Sequence, residues 1–248
     1  PANPRRWVFP NGSVLPPRGY LKARADQGLA SSDANTGFGL SANGGAVLLF
    51  NRPADGGGLQ SSVTYGLQAA DWSIGRVPDG STNWVLNAPT LGRPNAGAPL
   101  GNPGLLKINE WMADPASGDD WFEIFNPSPE PVEISRLWLS DSLSNPMKHF
   151  LPPLSFIGRG AFGFRKFTAD ENPDAGADHV EFKLSAAGES LVIALPSGVL
   201  IDGVSFGPQV TDVSQGRWPD GSVKITAFPK SPTPGAANFL PLENVVIN

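Results

Sequence analysis

Asp71-Trp-Ser-Ile-Gly-Arg-Val-Pro-Asp-Gly80 returns 141 positions later as Asp212-Val-Ser-Gln-Gly-Arg-Trp-Pro-Asp-Gly221. Seven of the ten residues are unchanged, which marks a repeated unit rather than a chance match. The stretch reads as a short strand running into a turn. Proline presets φ, aspartate caps, and glycine takes the positive φ that other residues avoid. Working outward, Phe38-Gly-Leu-Ser-Ala-Asn-Gly44 recurs as Phe182-Lys-Leu-Ser-Ala-Ala-Gly188, and Tyr65-Gly-Leu-Gln68 as Phe206-Gly-Pro-Gln209. Pro89-Thr90, Gly92 and Asn95 recur as Pro232-Thr233, Gly235 and Asn238. Upstream, Phe9 and Arg18-Gly19 match Phe150 and Arg159-Gly160. Two copies of one module therefore stand in tandem.

The copies are unequal. The second runs from near Leu105 to near Asn238, and the first has no counterpart of residues 105–146. The expected organisation is an N-terminally incomplete module over 1–97, a linker over 98–104, a near-complete module over 105–239, and a tail over 240–248. In that tail, Val245-Val246-Ile247-Asn248 resembles Leu106-Lys107-Ile108-Asn109, the first strand of the second copy. The tail thus reads as the start of a further copy or as a donor strand.

Strands are expected at Trp121–Phe125, Glu133–Ser140, Gly163–Phe167, Ser190–Leu195, Leu200–Phe206 and Val223–Phe228, with turns at Pro196-Ser-Gly198 and Pro219-Asp-Gly221. No window offers three clean helical turns. The 29 glycines and 26 prolines among 248 residues fit a turn-rich all-β chain. Short strands at this spacing imply tandem β-sandwiches.

In order and spacing, the residues of the second copy resemble the lamin-tail domain, an immunoglobulin-like sandwich, in its bacterial extracellular form. The matching features are Ile108-Asn-Glu110 with Met112-Ala-Asp114, Asp120-Trp-Phe-Glu-Ile-Phe-Asn126, and Val132 with Ile134-Ser135 and Trp138-x-Leu-Ser-Asp141. Phe182-x-Leu-Ser185, Gly216-Arg-x-Pro-Asp-Gly221 and Ser231-Pro-Thr-Pro-Gly235 complete the set. In the first copy the match covers the C-terminal two-thirds, ending in Gly75-Arg-Val-Pro-Asp-Gly80. The resemblance implies tandem immunoglobulin-like modules in a large secreted or cell-surface protein of bacterial type. It implies no catalytic residues. Nuclear members bind chromatin weakly, but a net charge of −5 without a basic stripe gives nucleic acid no footprint here.

Other chemistry is thinly represented. Cysteine is absent, so disulfides, thiolate metal sites and cysteine nucleophiles are excluded together. No apolar run approaches a membrane span. The chain opens on Pro1 without a methionine, which reads as a processed product or a fragment. His149 and His179 lack counterparts in the first copy, where Val8 and Asn35 stand near their positions, and read as surface residues. Gly158-Arg-Gly160-Ala-Phe-Gly163 imitates a dinucleotide fingerprint, but a strand follows it where a helix is needed. Asp114, Asp119 and Asp120 share a loop and are calcium candidates, without the spacing of a helix-loop-helix calcium site. Glu110 and Glu123 are either a paired acid–base set or carboxylates that accept hydrogen bonds from turn backbone. Trp121 and Trp138 read as core. Trp84 and Trp218 flank turns and are candidates for a sugar platform.

Two functional classes follow. One is a non-enzymatic structural or interaction module of a tandem array, whose partners are other copies or neighbouring domains of a larger chain. The alternative is a carbohydrate- or cell-wall-binding module that tethers a hydrolase. The ends sharpen the first. A copy without its first strands leaves a sheet edge and part of a core unpaired, which invites strand addition. Val245, Val246 and Ile247 could pair there within one chain, or in the next molecule to build head-to-tail filaments. The competing reading is a window cut from a longer array.

Overall fold

The computed structural model describes residues 5–241 of the 248. The tail residues Val245, Val246 and Ile247 lie outside them. The chain is all-β, with only single-turn 3-10 helices between strands among the described residues. It forms two compact units. The first runs to Tyr65 and resumes over Asp71–Ala98, and the second takes Gly66–Ala70 and the described chain from Pro99 onward.

The first unit contains β1 (Asn43–Phe50), β2 (Leu59–Leu67, whose last two residues belong to the second unit), β3 (Ser73–Arg76), β4 (Trp84–Ala88) and β5 (Ala96–Gly97). β1 pairs with β2, and β3-β4-β5 form a separate antiparallel sheet with β3 at one edge. Little of this unit is buried. Tyr65 and Leu86 are its buried large apolar side chains, while Val47, Leu48 and Leu49 of β1 lie 39–45% exposed.

Among its described residues the second unit holds twelve further strands: β6 (Lys107–Met112), β7 (Asp120–Phe125), β8 (Val132–Glu133), β9 (Trp138–Ser140), β10 (His149–Phe150), β11 (Phe156–Ile157), β12 (Phe164–Ala169), β13 (His179–Val180), β14 (Glu189–Ala194), β15 (Leu200–Phe206), β16 (Ser214–Arg217) and β17 (Ile225–Phe228). One sheet has the order β13-β12-β7-β6-β16-β17, another β10-β9-β14-β15, and β11 pairs with β8. All pairs are antiparallel except β12 with β13. Ile108, Trp111, Phe122 and Phe167 from the six-stranded sheet and Leu139, Leu191 and Ile193 from the four-stranded sheet share one core.

Gly66–Ala70 belongs to this core by its own bonds. Gly66 N–H donates to Pro153 O at 2.9 Å, Leu67 N–H to Ser155 Oγ at 3.1 Å, and the Leu67 side chain is fully buried. Gly66 has to be glycine, because a Cβ there would meet Ser155 Oγ at 2.0 Å and Pro152 Cγ at 2.7 Å.

The expected strand over Glu133–Ser140 is broken in two. Arg136 sits at φ 64° and donates its N–H to Leu151 O, so β8 pairs with β11 while β9 joins the other sheet. The left-handed residue turns the chain from one sheet to the next. The remaining expected strands appear within two residues of their sequence limits.

The repeat is visible in backbone detail. β14, β15, β16 and β17 stand where β1, β2, β3 and β4 recur. Gly80 and Gly221 take φ 75° and 71°, and Asp71 and Asp212 take φ 63° and 61°. Even the parallel pairing of Thr168 with His179 has a counterpart, a single bridge between Arg24 and Asn35.

Candidate functional site

The densest polar cluster is built on β6. Ile108 pairs with Ile124, yet Glu110 pairs with Glu123, so Asn109 is an extra residue in a β-bulge. A bulge shifts the alternation of side chains by one. That shift lets both Ile108 and Trp111 enter the core while Asn109 and the two glutamates enter the polar cluster. Glu110 and Glu123, directly opposite and fully buried, would repel each other if both were charged and unpartnered.

The closing segment from Ser231 to Asn238, with Ser214 and Asn109, supplies the partners. Glu110 accepts from Ser214 Oγ at 2.5 Å, from Thr233 N–H at 3.1 Å and from Thr233 Oγ1 at 2.7 Å. Glu123 accepts from Asn109 Nδ2 at 3.1 Å and from Gly235 N–H at 2.6 Å. Asn109 also donates to Asp220 at 3.0 Å, and its Oδ1 accepts the Gly221 N–H at 3.0 Å. Asn238 locks the loop down. Its N–H donates to Asp220, and its Nδ2 donates to Arg217 O at 2.9 Å and Asn109 O at 3.4 Å. Arg217 crosses the same edge, donating Nε to Ile108 O at 2.7 Å and Nη2 to Asp202 at 3.0 Å.

Burial pushes the Glu123 carboxyl up to about 8, with Glu110 and Asp220 adding to the rise against the hydrogen bonds of Asn109 and Gly235. Burial likewise raises Glu110, and bonds from Ser214 and Thr233 oppose it. A carboxyl held protonated near neutrality is one component of acid–base chemistry. Here, however, both groups are sealed under the closing segment. Of the two expectations for Glu110 and Glu123, the geometry matches the acceptor of turn hydrogen bonds.

The first unit contains half of this cluster. Asn95 N–H donates to Asp79 Oδ1 at 2.9 Å, Asn95 Nδ2 to Arg76 O at 3.0 Å, and Thr90 Oγ1 to Asn95 Oδ1 at 3.1 Å. These repeat the bonds of Asn238 with Asp220, Arg217 and Thr233, the last at 2.8 Å. Arg76 Nη2 reaches Ser61 at 3.1 Å, where Arg217 reaches Asp202. Among the described residues, no strand pairs with the edge of β3 opposite β4, where an Asn109, Glu110 or Glu123 would be carried.

The other candidates scatter. Asp114 Oδ2 accepts Thr211 Oγ1 at 2.6 Å, and Asp120 Oδ2 accepts the Leu184 N–H at 3.0 Å. With Asp119 they do not form a three-ligand metal group, and none exists among the described residues. Trp84 is half-buried with the Arg76 guanidinium over its ring at 4.8 Å, and Trp218 is half-buried before Pro219. The two tryptophans lie in different units. Trp121 is core, whereas Trp138 is half-buried against Phe150. Gly160–Phe162 is a single 3-10 turn leading into β12, so no helix follows the glycines.

The histidines depart from the surface expectation. His149 is buried with neither ring nitrogen hydrogen-bonded, and Glu181 lies 3.8 Å away. His179 is half-buried and bonded to Asp170 at 2.7 Å. Asn109, Asp220 and Asn238 were not among the residues expected to form a site. The signal for Asp220 and Asn238 was present, because Asp79/Asp220, Thr90/Thr233 and Asn95/Asn238 all recur at the repeat spacing, whereas Asn109 has no counterpart in the first copy. No protein-family model, curated protein or solved structure matches this chain.

Proposed function

We propose that the chain is a non-enzymatic structural or interaction module, a stretch of a tandem array of immunoglobulin-like, lamin-tail-like β-sandwiches in a secreted or cell-surface protein. The observation that carries this reading is the polar clasp around Asn238, repeated around Asn95 with the same partners. A device that recurs in both units and binds its own closing loop serves folding of the repeat. The two sheets of the second unit that share a core support the sandwich assignment. The sealed glutamates support a role without turnover.

The test compares wild-type protein with Glu123→Gln in thermal unfolding and in a panel of glycosidase, esterase and peptidase substrates. A structural clasp shows altered stability and no turnover in either protein. Turnover that Glu123→Gln abolishes would overturn the reading.

A further inference from the structure

Residues 66–68 form a small hook that the second unit receives. Gly66 N–H donates to Pro153 O, Leu67 N–H to Ser155 Oγ, and Gln68 Nε2 to Leu154 O at 2.9 Å. Gln68 Nε2 also donates to Gly66 O at 2.9 Å, which closes the hook on itself. Pro152 and Ser155 leave no room for a Cβ on Gly66. The repeat counterpart, Gly207-Pro208-Gln209, follows β15 and keeps the same shape, with Gln209 Nε2 donating to Gly207 O at 2.8 Å. Here, though, Gly207 and Pro208 are exposed, and no backbone carbonyl among the described residues accepts the Gly207 N–H. A Cβ on Gly207 would meet no atom within 4 Å, and its φ is not left-handed. Nothing in its own unit calls for a glycine there, whereas at Gly66 a docked loop does.

The receiving loop has an uncovered counterpart too. Beyond Phe9 and Phe150, Pro10-Asn11-Gly12-Ser13 stands against Pro152-Pro153-Leu154-Ser155. Gly12 at φ 80° and Leu154 at φ 56° fix that register. A bond from serine to proline closes each loop, Ser13 N–H to Pro10 O at 3.1 Å and Ser155 Oγ to Pro152 O at 2.7 Å. Among the described residues, no backbone N–H donates to the Asn11 or Gly12 carbonyl. Leu15, at the place of the buried Ile157, is 62% exposed.

We propose that the hook at residues 207–209 docks on the loop at residues 10–13 of a second copy of this chain. Gly207 N–H donates to the Asn11 carbonyl. Gln209 Nε2 keeps its bond to Gly207 O and exchanges Gln215 for the Gly12 carbonyl. Pro208 covers Leu15, as Leu67 shares a core with Ile157. Two bonds of the template are not repeated. Pro208 has no N–H, and Leu21 stands before Lys22 where Arg165, the donor to Gln68 O, stands before Lys166. The docking is therefore weaker than its template. Glycine supplies the specificity, since a side chain at 207 would strike Pro10 and Ser13 as one at 66 strikes Pro152 and Ser155. The pairing joins two different surfaces head to tail, and propagates unless it closes. This inference deepens the interaction-module reading and rests on it.

The experiment is sedimentation velocity of the whole 248-residue chain from micromolar to millimolar concentration, for wild type, Gly207→Val in the hook and Leu15→Glu beside the loop. Wild type should associate as concentration rises. Each variant should weaken association by about tenfold or more, the first by a clash and the second by covering a charge. Both positions are exposed, so thermal melts of the dilute variants should match wild type. Monomers at every concentration, or association that either variant leaves at wild-type strength, would overturn the proposal. A folded monomer without turnover leaves the module reading intact, so the two failures are distinct.

Discussion

Glu123 Oε2 accepts the backbone N–H of Gly235 at 2.6 Å, across 112 positions of sequence. This bond joins the middle of the six-stranded sheet to the segment that closes the repeat. It also ties the repeat to pH. The carboxyl sits near 8 when folded, against 4.5 as the ordinary value, because burial disfavours its charge. A carboxyl raised on folding binds its proton more tightly in the native state. Its contribution to stability is complete below about 4.5 and is lost as pH rises to about 8. The melting temperature of the second unit should therefore fall across that interval. Glu123→Gln, which keeps the shape without the titration, should flatten this limb in melts recorded at a series of pH values.

His149 works in the opposite direction. Burial lowers its pKa from 6.5, with Glu181 pulling weakly back. A depressed histidine contributes stability above about 6.5 that is lost as pH falls through its folded value. His149→Leu should remove this acid-side loss. It should cost little at neutral pH, since neither ring nitrogen has a hydrogen-bond partner to forfeit. Melts of this variant at acid and neutral pH separate its limb from that of Glu123.

Gly216 and its counterpart Gly75 should respond differently to alanine. A Cβ on Gly216 would meet the Asn109 carbonyl oxygen at 2.5 Å, which is backbone fixed in the bulge. On Gly75 it would meet side-chain amides, Asn95 Nδ2 at 2.6 Å and Asn87 Nδ2 at 2.8 Å. Side-chain ends move more cheaply than a strand. Gly216→Ala should cost about 1–3 kcal/mol, as overpacking does, and Gly75→Ala less. Denaturant titration of the two variants checks the order.

Asn238 should be the costliest loop residue to truncate. It is buried, and Asn238→Ala removes the side-chain donor to the carbonyls of Arg217 and Asn109 and one of the two bonds of Thr233 Oγ1. A loss of roughly 1–3 kcal/mol is expected for buried groups left unsatisfied. Asn95→Ala, at the half-exposed counterpart, should lose less because water replaces the missing bonds. Unfolding monitored for both variants gives the comparison.

Much of the organisation was legible because the repeat preserves residues with obligatory backbone roles. Gly80 and Gly221 need positive φ, and the side chains of Asn95 and Asn238 bridge a threonine hydroxyl and an arginine carbonyl. Such residues leave identical letters at a fixed spacing. The bulge at Asn109 left no such mark, since one extra residue in a strand changes register without changing composition. Nor did Arg136, whose left-handed backbone breaks an otherwise continuous strand pattern.

By itself the sequence determined the all-β class, the tandem repeat, the turns and the identity of the paired residues, because these depend on local chemistry and spacing. Tertiary structure alone decided what is covered. Val47, Leu48 and Leu49 occupy the repeat positions of Leu191, Val192 and Ile193, with the same apolar character. In the second unit those three are almost fully buried, since β14 lies between β9 and β15 and faces a shared core. In the first unit, among the described residues, β1 pairs with β2 alone, and its apolar residues stand exposed. Burial is a property of the partner strands and not of the strand's own residues. The same is true of Asp79 and Asp220, where like residues hold a half-built clasp in one unit and a complete one in the other.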